Sequence, residues 1–197
     1  MMLPIQNEGL PPIPSLPIDP LDVKYFVDGM IEVFVDKDDF AEIDKCFKDT
    51  TKIESQLADA IQLLMKKDVP DILNAVKIIG EILQEIPDQL GHCDGMQDDI
   101  SRIEKWADIF KHPFTLIPKL IKNTAANIDD IAKNIDNVVD NVEHHQTGDQ
   151  LWMKSIGEDV ATILVDQLGP VPKAEESLPP IPKLPIDPID VKYFIDG

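Results

Sequence analysis

The sequence is poor in several residue types on which enzymes and metal sites depend. Its 197 residues include 2 cysteines, 9 glycines and 4 histidines. No glycine-rich phosphate loop, Cys-x-x-Cys pair or Cys/His metal spacing occurs, which argues against the common nucleotide, redox and zinc sites. None of the histidines belongs to a recognisable nucleophile motif. We therefore expect no catalytic residues, no cofactor and no enzymatic activity.

Basic residues are also scarce. There are 18 Lys and Arg against 37 Asp and Glu, which gives a net charge of −19. Such an excess of negative charge repels nucleic-acid phosphates and anionic lipid surfaces. No apolar run approaches the roughly 18 residues that a membrane helix requires. We therefore expect neither a nucleic-acid partner nor membrane insertion.

One stretch of the sequence occurs twice. LPPIPSLPIDPLDVKYFVDG occupies residues 10–29, and LPPIPKLPIDPIDVKYFIDG occupies residues 178–197, with 17 identities in 20 positions and an offset of 168. Self-similarity at a fixed period is typical of repeat arrays, and 168 residues are enough for a whole domain with its linker. The repetition predicts a longer polyprotein with four parts in this chain: linker 1–18, domain 19–168, second linker 169–186, and the start of the next repeat's first helix at 187–197.

Between the two copies, apolar residues recur at the three- and four-residue spacing of amphipathic helices. Asp19 and Pro20 begin the first helix, a later helix is expected to end at Pro87, and the longest is expected to run from Pro118 past Val142. No segment alternates with the period of a strand. The sequence predicts an all-α bundle of about six or seven helices, stapled by a disulfide, with extended polyproline II segments at both ends.

Cys46 and Cys93 are the only cysteines. They are either two buried thiols of a protein in a reducing compartment or a disulfide of a secreted protein. We favour the disulfide, because an isolated pair in an acidic repeat of this kind is more often bonded. Closing a loop of roughly 50 residues would stabilise the domain by about 4 kcal/mol. The expected location is extracellular, or a secretory organelle before release.

Several short motifs are shared with a known group of domains. They are FVDG at Phe26 to Gly29, the cysteines Cys46 and Cys93, His112 with Pro113, Gly148 with Asp149, and Gly157. With these motifs the chain resembles a domain that recurs in small secreted proteins of ciliate protists. The resemblance implies a secreted helical fold with a disulfide, and it implies no known activity.

Two acidic segments, Asp36 to Asp39 and Asp94 to Asp99, contain carboxylates of the kind that bind calcium. Both lack the central glycine and the distal glutamate of an EF-hand loop. His144 and His145 are adjacent on a helix and point about 100° apart, which does not suit two ligands of one ion. We expect solvated turns and helix N-termini, histidines that cap a helix end, no specific metal site, and at most weak binding of divalent cations to the acidic surface.

The proline-rich tract carries an aliphatic stripe. Polyproline II repeats every three residues, so that large apolar side chains spaced by three lie on one face. Flexible linkers are instead polar or rich in Gly and Ser. We therefore expect the stripe to dock between consecutive domains. The predicted docking residues in this register are Leu10, Ile13 and Leu16 in the first copy, and Leu178, Ile181 and Leu184 in the second. Ile18 and Ile186 lie outside the register and add further apolar bulk for docking.

The function that these patterns favour is structural. A tandem array with docked linkers would form a head-to-tail extracellular filament, because a heterologous contact that does not close must propagate. Its partners would be neighbouring repeats of the same protein. Three alternatives stay open: rigid spacers between independent domains, an adhesion array with exposed aromatic residues, and helical modules that each bind a lipid or other apolar ligand in a cavity of several hundred Å³.

Overall fold

A computed structural model describes residues 16–146 and 148–173, which form eight α-helices and no strand. The all-α prediction is confirmed for these residues, whereas most of both predicted polyproline II segments lies outside them. A short 3-10 helix, Asp108–Lys111, connects α5 to α6. The helices are α1 (Pro20–Val35), α2 (Phe40–Cys46), α3 (Thr51–Met65), α4 (Val69–Leu90), α5 (Gln97–Ala107), α6 (Pro113–Ala126), α7 (Ile128–His144) and α8 (Leu151–Leu168).

Helix α1 begins at the predicted residue. The Asp19 side chain accepts a hydrogen bond from the Asp22 backbone N–H at 2.8 Å, and the Asp22 side chain accepts one from the Asp19 N–H at 3.1 Å. Pro20 occupies the first turn, where its missing N–H costs nothing. This reciprocal cap fixes the point at which the linker ends and the helix begins.

Helices α1 and α8 cross at the centre of the domain. The crossing is close because it has glycine on both sides: a Cβ atom on Gly29 would overlap the Lys154 carbonyl oxygen, and one on Gly157 would overlap the Phe26 carbonyl oxygen. Phe26 and Met30 are fully buried on either side of this contact. The FVDG motif and Gly157, which lie far apart in sequence, thus form one helix–helix contact.

The remaining helices bury apolar side chains around this pair in one core. In α7 the predicted three-and-four spacing is confirmed at Ile131, Ile135 and Val138, which are buried. Trp152 is buried and Trp106 is half-buried, so both tryptophans lie in the core or at its edge, as predicted. The domain interior is therefore filled largely by aliphatic side chains.

Cys46 and Cys93 form the predicted disulfide, with their Cα atoms 6.0 Å apart. The bridge spans a sequence separation of 47 residues and ties the end of α2 to the loop that follows α4. In the chain-entropy treatment a loop of this length contributes about 4 kcal/mol to stability. The alternative of two buried thiols does not apply.

The predicted helix boundaries are wrong at two places. Helix α4 continues through Pro87 to Leu90. Pro87 has no N–H and removes one helical hydrogen bond, but its carbonyl accepts one from the Gly91 N–H at 2.8 Å, so the helix does not end there. The single helix predicted from Pro118 past Val142 is in fact α6 and α7, separated at Asn127. This split gives eight α-helices in the described residues instead of six or seven, and α6 begins at Pro113, before the predicted Pro118.

Two side chains explain the break between α6 and α7. The Asn127 amide donates to the Asp166 carbonyl at 3.0 Å, and the Asn123 amide donates to the Gln167 carbonyl at 2.7 Å. Both bonds satisfy carbonyls in the last turn of α8, where helical partners are missing. The chain therefore turns at Asn127 because its side chain is held by α8.

The polypeptide stays on the domain after α8 ends. The Trp106 indole N–H donates to the Gly169 carbonyl at 3.0 Å, and the Arg102 Nε donates to the Pro172 carbonyl at 2.8 Å. Val171 between these anchors is buried. The first residues of the predicted second linker thus run along α5.

Candidate interaction surfaces

The structure describes two of the eight predicted docking residues. Leu16 and Ile18 are half-buried and pack against the core of the domain that they precede, whereas Pro17 between them is exposed. The last residues of the first linker therefore belong to the packing of the domain. The other six predicted docking residues lie outside the described residues: Leu10, Ile13, Leu178, Ile181, Leu184 and Ile186.

A cleft of about 350 Å³ opens beside this joint. Ile18 and Asp19 lie on one side of it, and Trp152 lies on the other, with its ring stacked on that of His145 at a centroid distance of 4.0 Å. A second cleft of about 480 Å³, which Ser155 helps to line, shares the same ring pair. The end of the linker thus meets the domain at a concave surface with a stacked aromatic wall.

His144 and His145 lie at the end of α7. His144 Nδ1 is 3.1 Å from the Asp140 carbonyl oxygen, and His145 Nδ1 is 2.8 Å from the Val142 carbonyl oxygen. The last four carbonyls of a helix lack intrahelical donors. The Val142 carbonyl is one of these in α7, whereas the Asp140 carbonyl lies just before them. The predicted role of the two histidines at a helix end therefore fits their positions.

A cluster of charged side chains forms where α1, α8 and the α1–α2 loop meet. Lys154 Nζ lies 3.3 Å from Asp28 Oδ2, 2.8 Å from Glu32 Oε2 and 3.1 Å from Asp38 Oδ2. Asp28 is fully buried, and its Oδ1 also accepts a hydrogen bond from the Asp39 N–H at 3.2 Å. Charge-assisted bonds of this kind are about twice as strong as neutral ones.

Burial and ion pairing act in opposite directions on the charges of this cluster. Burial raises the pKa of Asp28 to about 6, and the nearby Lys154 ammonium opposes the rise. The hydrogen bond to Glu32 in turn raises the pKa of Lys154. Lys154 therefore carries its charge throughout the physiological range, while Asp28 titrates near its lower end.

The same carboxylates have the spacing of a metal site. One oxygen from each of Asp28, Glu32 and Asp38 lies within 4.8 Å of the other two. However, the Lys154 ammonium contacts all three groups, so a divalent ion would have to displace it. The cluster is therefore better suited to an internal ion pair than to calcium.

Asp36 and Asp38 are exposed, as predicted for a solvated turn, and Asp39 is the N-cap residue of α2, as predicted for a helix N-terminus. Asp39 is buried, and Lys37 Nζ lies 3.1 Å from its carboxylate. The sequence also contained a signal for the charged cluster around Lys154. Asp28 stands between the apolar residues Val27 and Met30 of α1, in the part of the helix that packs on α8. A charged residue at such a position indicates a buried partner, here Lys154.

Helix α6 presents an apolar surface to solvent, which sequence reasoning also missed. Phe114, Ile117 and Ile121, which we call the α6 stripe, are 97%, 38% and 52% exposed. Their spacing of i, i+3 and i+7 places them along one side of the helix. Leu116 and Leu120 on the other side are buried against the core. The stripe was overlooked because residues before Pro118 were not assigned to a helix.

The surroundings of the α6 stripe differ in charge from the rest of the chain. Residues 109–128 form its longest segment without Asp or Glu, and they include Lys111, Lys119 and Lys122. These three lysines are exposed. At 100° per residue Lys122 flanks the stripe, whereas Lys119 lies nearer the opposite side of α6. Lys111, just before α6, lies 3.6 Å from the Asp108 carboxylate.

A cleft of about 230 Å³ adjoins the stripe between α6 and α4. Phe110, Leu116 and Ile117 supply its apolar lining, and Lys77 and Glu81 of α4 stand on the other side. Gln56 of α3 donates a hydrogen bond to Glu81 at 3.1 Å. The apolar lining of the cleft is therefore continuous with the α6 stripe through Ile117.

Comparisons of the chain with protein-family models, with curated protein sequences and with solved structures found no match. The resemblance to domains of ciliate protists therefore stays a prediction. Among the helices of the described ranges, none has both the length and the apolar composition needed to cross a bilayer. The surfaces described above are the basis on which a function can be proposed.

Proposed function

We propose that this chain is a unit of a tandem array of secreted helical domains, joined head-to-tail by its proline-rich linkers into an extracellular filament. The observation that carries the proposal is the joint at the start of the domain. Leu16 and Ile18 pack against the core, and Asp19 caps α1. The end of the linker thus has a fixed position on the domain that follows it.

The repetition extends this joint to a neighbouring unit. The second copy of the tract contains the residues equivalent to Leu16, Ile18 and Asp19 at an offset of 168. Identical residues in identical order support the same joint on a following domain. Since proline restricts the linker before docking, little conformational entropy is lost when it becomes ordered. A single repeated joint of fixed geometry generates a helical filament.

The disulfide supports the extracellular part of the proposal. Bonds such as Cys46–Cys93 persist in oxidising compartments and are rare where glutathione keeps thiols reduced. The acidic surface is consistent with a structural role, because strong net charge keeps assembled proteins soluble. Divalent cations would bind this surface weakly and promote bundling of filaments.

The alternative of a module for apolar ligands has less support. A lipid-binding helical domain needs an enclosed cavity of several hundred Å³. In the described residues the positions that face inward on the helices belong to a packed core. The clefts of about 230, 350 and 480 Å³ open to solvent at the surface. We therefore propose assembly as the function in preference to ligand transport.

The proposal is tested by electron microscopy of a chain with six tandem copies of residues 10–177. We expect straight or gently helical particles with a constant spacing and rotation between domains. The matched control replaces residues 10–18 of each copy by Gly and Ser, which removes the stiffness and the stripe. Particles of variable shape from the natural sequence, indistinguishable from those of the control, would contradict the proposal.

A further inference from the structure

The linker has to contact the domain before it as well as the domain after it if consecutive units hold one orientation. We infer that Leu178 and Ile181 of the second tract dock on the α6 stripe of the same chain, with Glu175 and Glu176 near Lys111 and Lys122. This inference rests on the proposed function, because it names the surface on the preceding domain to which the first part of the linker, with Leu178 and Ile181, would bind.

The joint at the start of the domain divides the tract into two halves. Leu16 and Ile18 pack on the domain that follows them. We therefore expect their equivalents in the second copy, Leu184 and Ile186, to pack on the next domain. Of the predicted docking residues of the second copy, Leu178 and Ile181 are then left without an assigned contact. They also lie nearer in sequence to the domain that precedes them.

The two stripes have matching lengths. Three residues of polyproline II span about 9 Å, which is the predicted separation of Leu178 and Ile181. Seven residues of α-helix span about 10.5 Å, which is the axial separation of Phe114 and Ile121. Two aliphatic side chains on the linker therefore match the exposed apolar side chains at the two ends of the α6 stripe.

The charges around the two stripes are complementary. The α6 stripe lies in the longest acid-free segment of the chain, with the exposed Lys122 on its flank and the exposed Lys111 just before α6. The tract is preceded by Glu175 and Glu176, and its first copy has Glu8 at the position equivalent to Glu176. Complementary charge favours the correct register more than it adds affinity. An acidic residue two positions before the first leucine is thus a constant feature of both copies.

The linker can reach α6 from where the described chain ends. From Gly169 at Trp106 to Pro172 at Arg102 the chain runs along α5 away from α6, so the linker has to turn back after Pro172. The summed rises of α5 and the 3-10 helix put the start of α6 at most about 17 Å from Arg102. The six residues from Lys173 to Leu178 extend up to about 21 Å beyond Pro172. The cleft of about 230 Å³ beside Ile117 also has room for an aliphatic side chain, since cavities of about 150 Å³ accept benzene.

The inference is tested by photo-crosslinking in the 197-residue chain. We would introduce p-benzoylphenylalanine in place of Phe114, which is 97% exposed and can be changed without disturbing the core. After irradiation, mass spectrometry of a mixture of isotopically light and heavy chains identifies the linked peptide and separates links within a chain from links between chains. We expect links within one chain, to residues 174–183.

Two variants and one alternative label position serve as controls. Leu178→Ser with Ile181→Ser is expected to lower the crosslinking yield about tenfold, since both apolar contacts are lost. Leu184→Ser is the matched variant in the other half of the linker and is expected to leave the yield unchanged. The same photoreactive residue at Val69, an exposed apolar position on α4, is expected to give no link to the tract.

Several outcomes would overturn the inference. They are links mainly between α6 helices of two molecules, links to residues 8–16, and a yield that does not respond to the change of Leu178 and Ile181. The outcome is separable from that of the electron microscopy. Regular filaments without this crosslink would refute the α6 site and leave the array standing, whereas irregular particles with the crosslink would refute the filament alone.

Discussion

Gly29 of α1 and Gly157 of α8 each lie against a backbone carbonyl of the opposite helix, Gly29 against that of Lys154 and Gly157 against that of Phe26. The absence of two side chains lets the helix backbones touch at the centre of the domain. This contact places Lys154 beside Asp28 and the α1–α2 loop. The helix crossing and the charged cluster therefore depend on one another.

The first prediction concerns this crossing. Replacing Gly by Ala in a helix normally stabilises it by about 1 kcal/mol, but Gly157→Ala pushes a methyl group into the Phe26 carbonyl, and overpacking of this kind costs about 1–3 kcal/mol or more. We expect a net destabilisation of roughly 2 kcal/mol in urea unfolding. Ser155→Ala, on the same helix, serves as the control. A Gly157→Ala variant more stable than the natural protein would show that the helices do not touch here.

The second prediction concerns Lys154. Lys154→Met leaves three carboxylates without their cation. Losing one partner of a buried pair costs about 3–5 kcal/mol. Because Glu32 and Asp38 are partly exposed, we expect the free energy of unfolding to fall by about 2–3 kcal/mol. The exposed Lys133→Met is the control, and both variants are compared by urea unfolding.

Calcium extends this test. With the ammonium gone, the carboxylates of Asp28, Glu32 and Asp38 are free to bind a divalent cation. We expect millimolar calcium to restore part of the stability of Lys154→Met and to leave the natural protein nearly unchanged. Equal stabilisation of both proteins would place the calcium elsewhere on the acidic surface.

The third prediction is a dependence of stability on pH. Burial raises the pKa of Asp28 and of Asp159 to about 6 from an ordinary value of 3.8. The folded state thus holds more protons than the unfolded state between these values, so the free energy of unfolding falls as pH rises from about 4 to 6 and then levels off for these groups. Urea unfolding at several pH values measures this slope.

Asp159→Asn isolates one of the two groups. The amide keeps the shape of the carboxylate without the buried charge, so we expect the variant to be more stable than the natural protein by about 1 kcal/mol at pH 7 and equal to it at pH 4. Asp129→Asn, on the exposed side of α7, is the control. A constant difference across this pH range would assign the effect to packing.

The fourth prediction concerns the disulfide. Reduction, or Cys46→Ala with Cys93→Ala, is expected to lower the free energy of unfolding by about 4 kcal/mol. Non-reducing peptide mapping of the protein, purified without reductant, should find the two cysteines in one linked pair. Free thiols in the folded protein isolated under oxidising conditions would refute the bridge.

The fifth prediction concerns the joint with the linker. Ile18→Ser removes a half-buried aliphatic side chain from the core and is expected to destabilise the domain by about 1 kcal/mol. Pro17→Ser changes the exposed residue beside it and is expected to have a smaller effect. Thermal unfolding of the two variants compares them, and equal losses would show that Ile18 does not anchor the linker.

Local signals were enough to predict most helices. The Asp-Pro start of α1 and the apolar spacing of α7 correspond to caps and faces that each helix carries in its own sequence. The break at Asn127 was not predictable in this way, because the bond that fixes it goes to Asp166 on another helix. The predicted end of a helix at Pro87 was wrong for a related reason. The residues around Pro87 pack in the core and keep α4 helical, although a proline inside a helix is unfavourable.

The candidate surfaces were predictable in part. The aliphatic stripe of the linker follows from the three-residue period, and two of its residues pack on the domain. The cluster around Lys154 was not predicted, since it joins residues 126 positions apart at a crossing that only the fold creates. The residues of the α6 stripe, Phe114, Ile117 and Ile121, have the spacing of one helix side. This spacing indicates a common surface only if the helix begins before Phe114, and the predicted start was Pro118.

The central claim is that the linker holds consecutive domains in one orientation. The most direct measurement is the distance distribution between spin labels at Lys133 of both domains in a two-domain chain, obtained by double electron–electron resonance. We predict a single narrow distance that broadens when residues 178–186 between the domains are replaced by Gly and Ser. A broad distribution for the natural sequence, unchanged by that replacement, would contradict the claim.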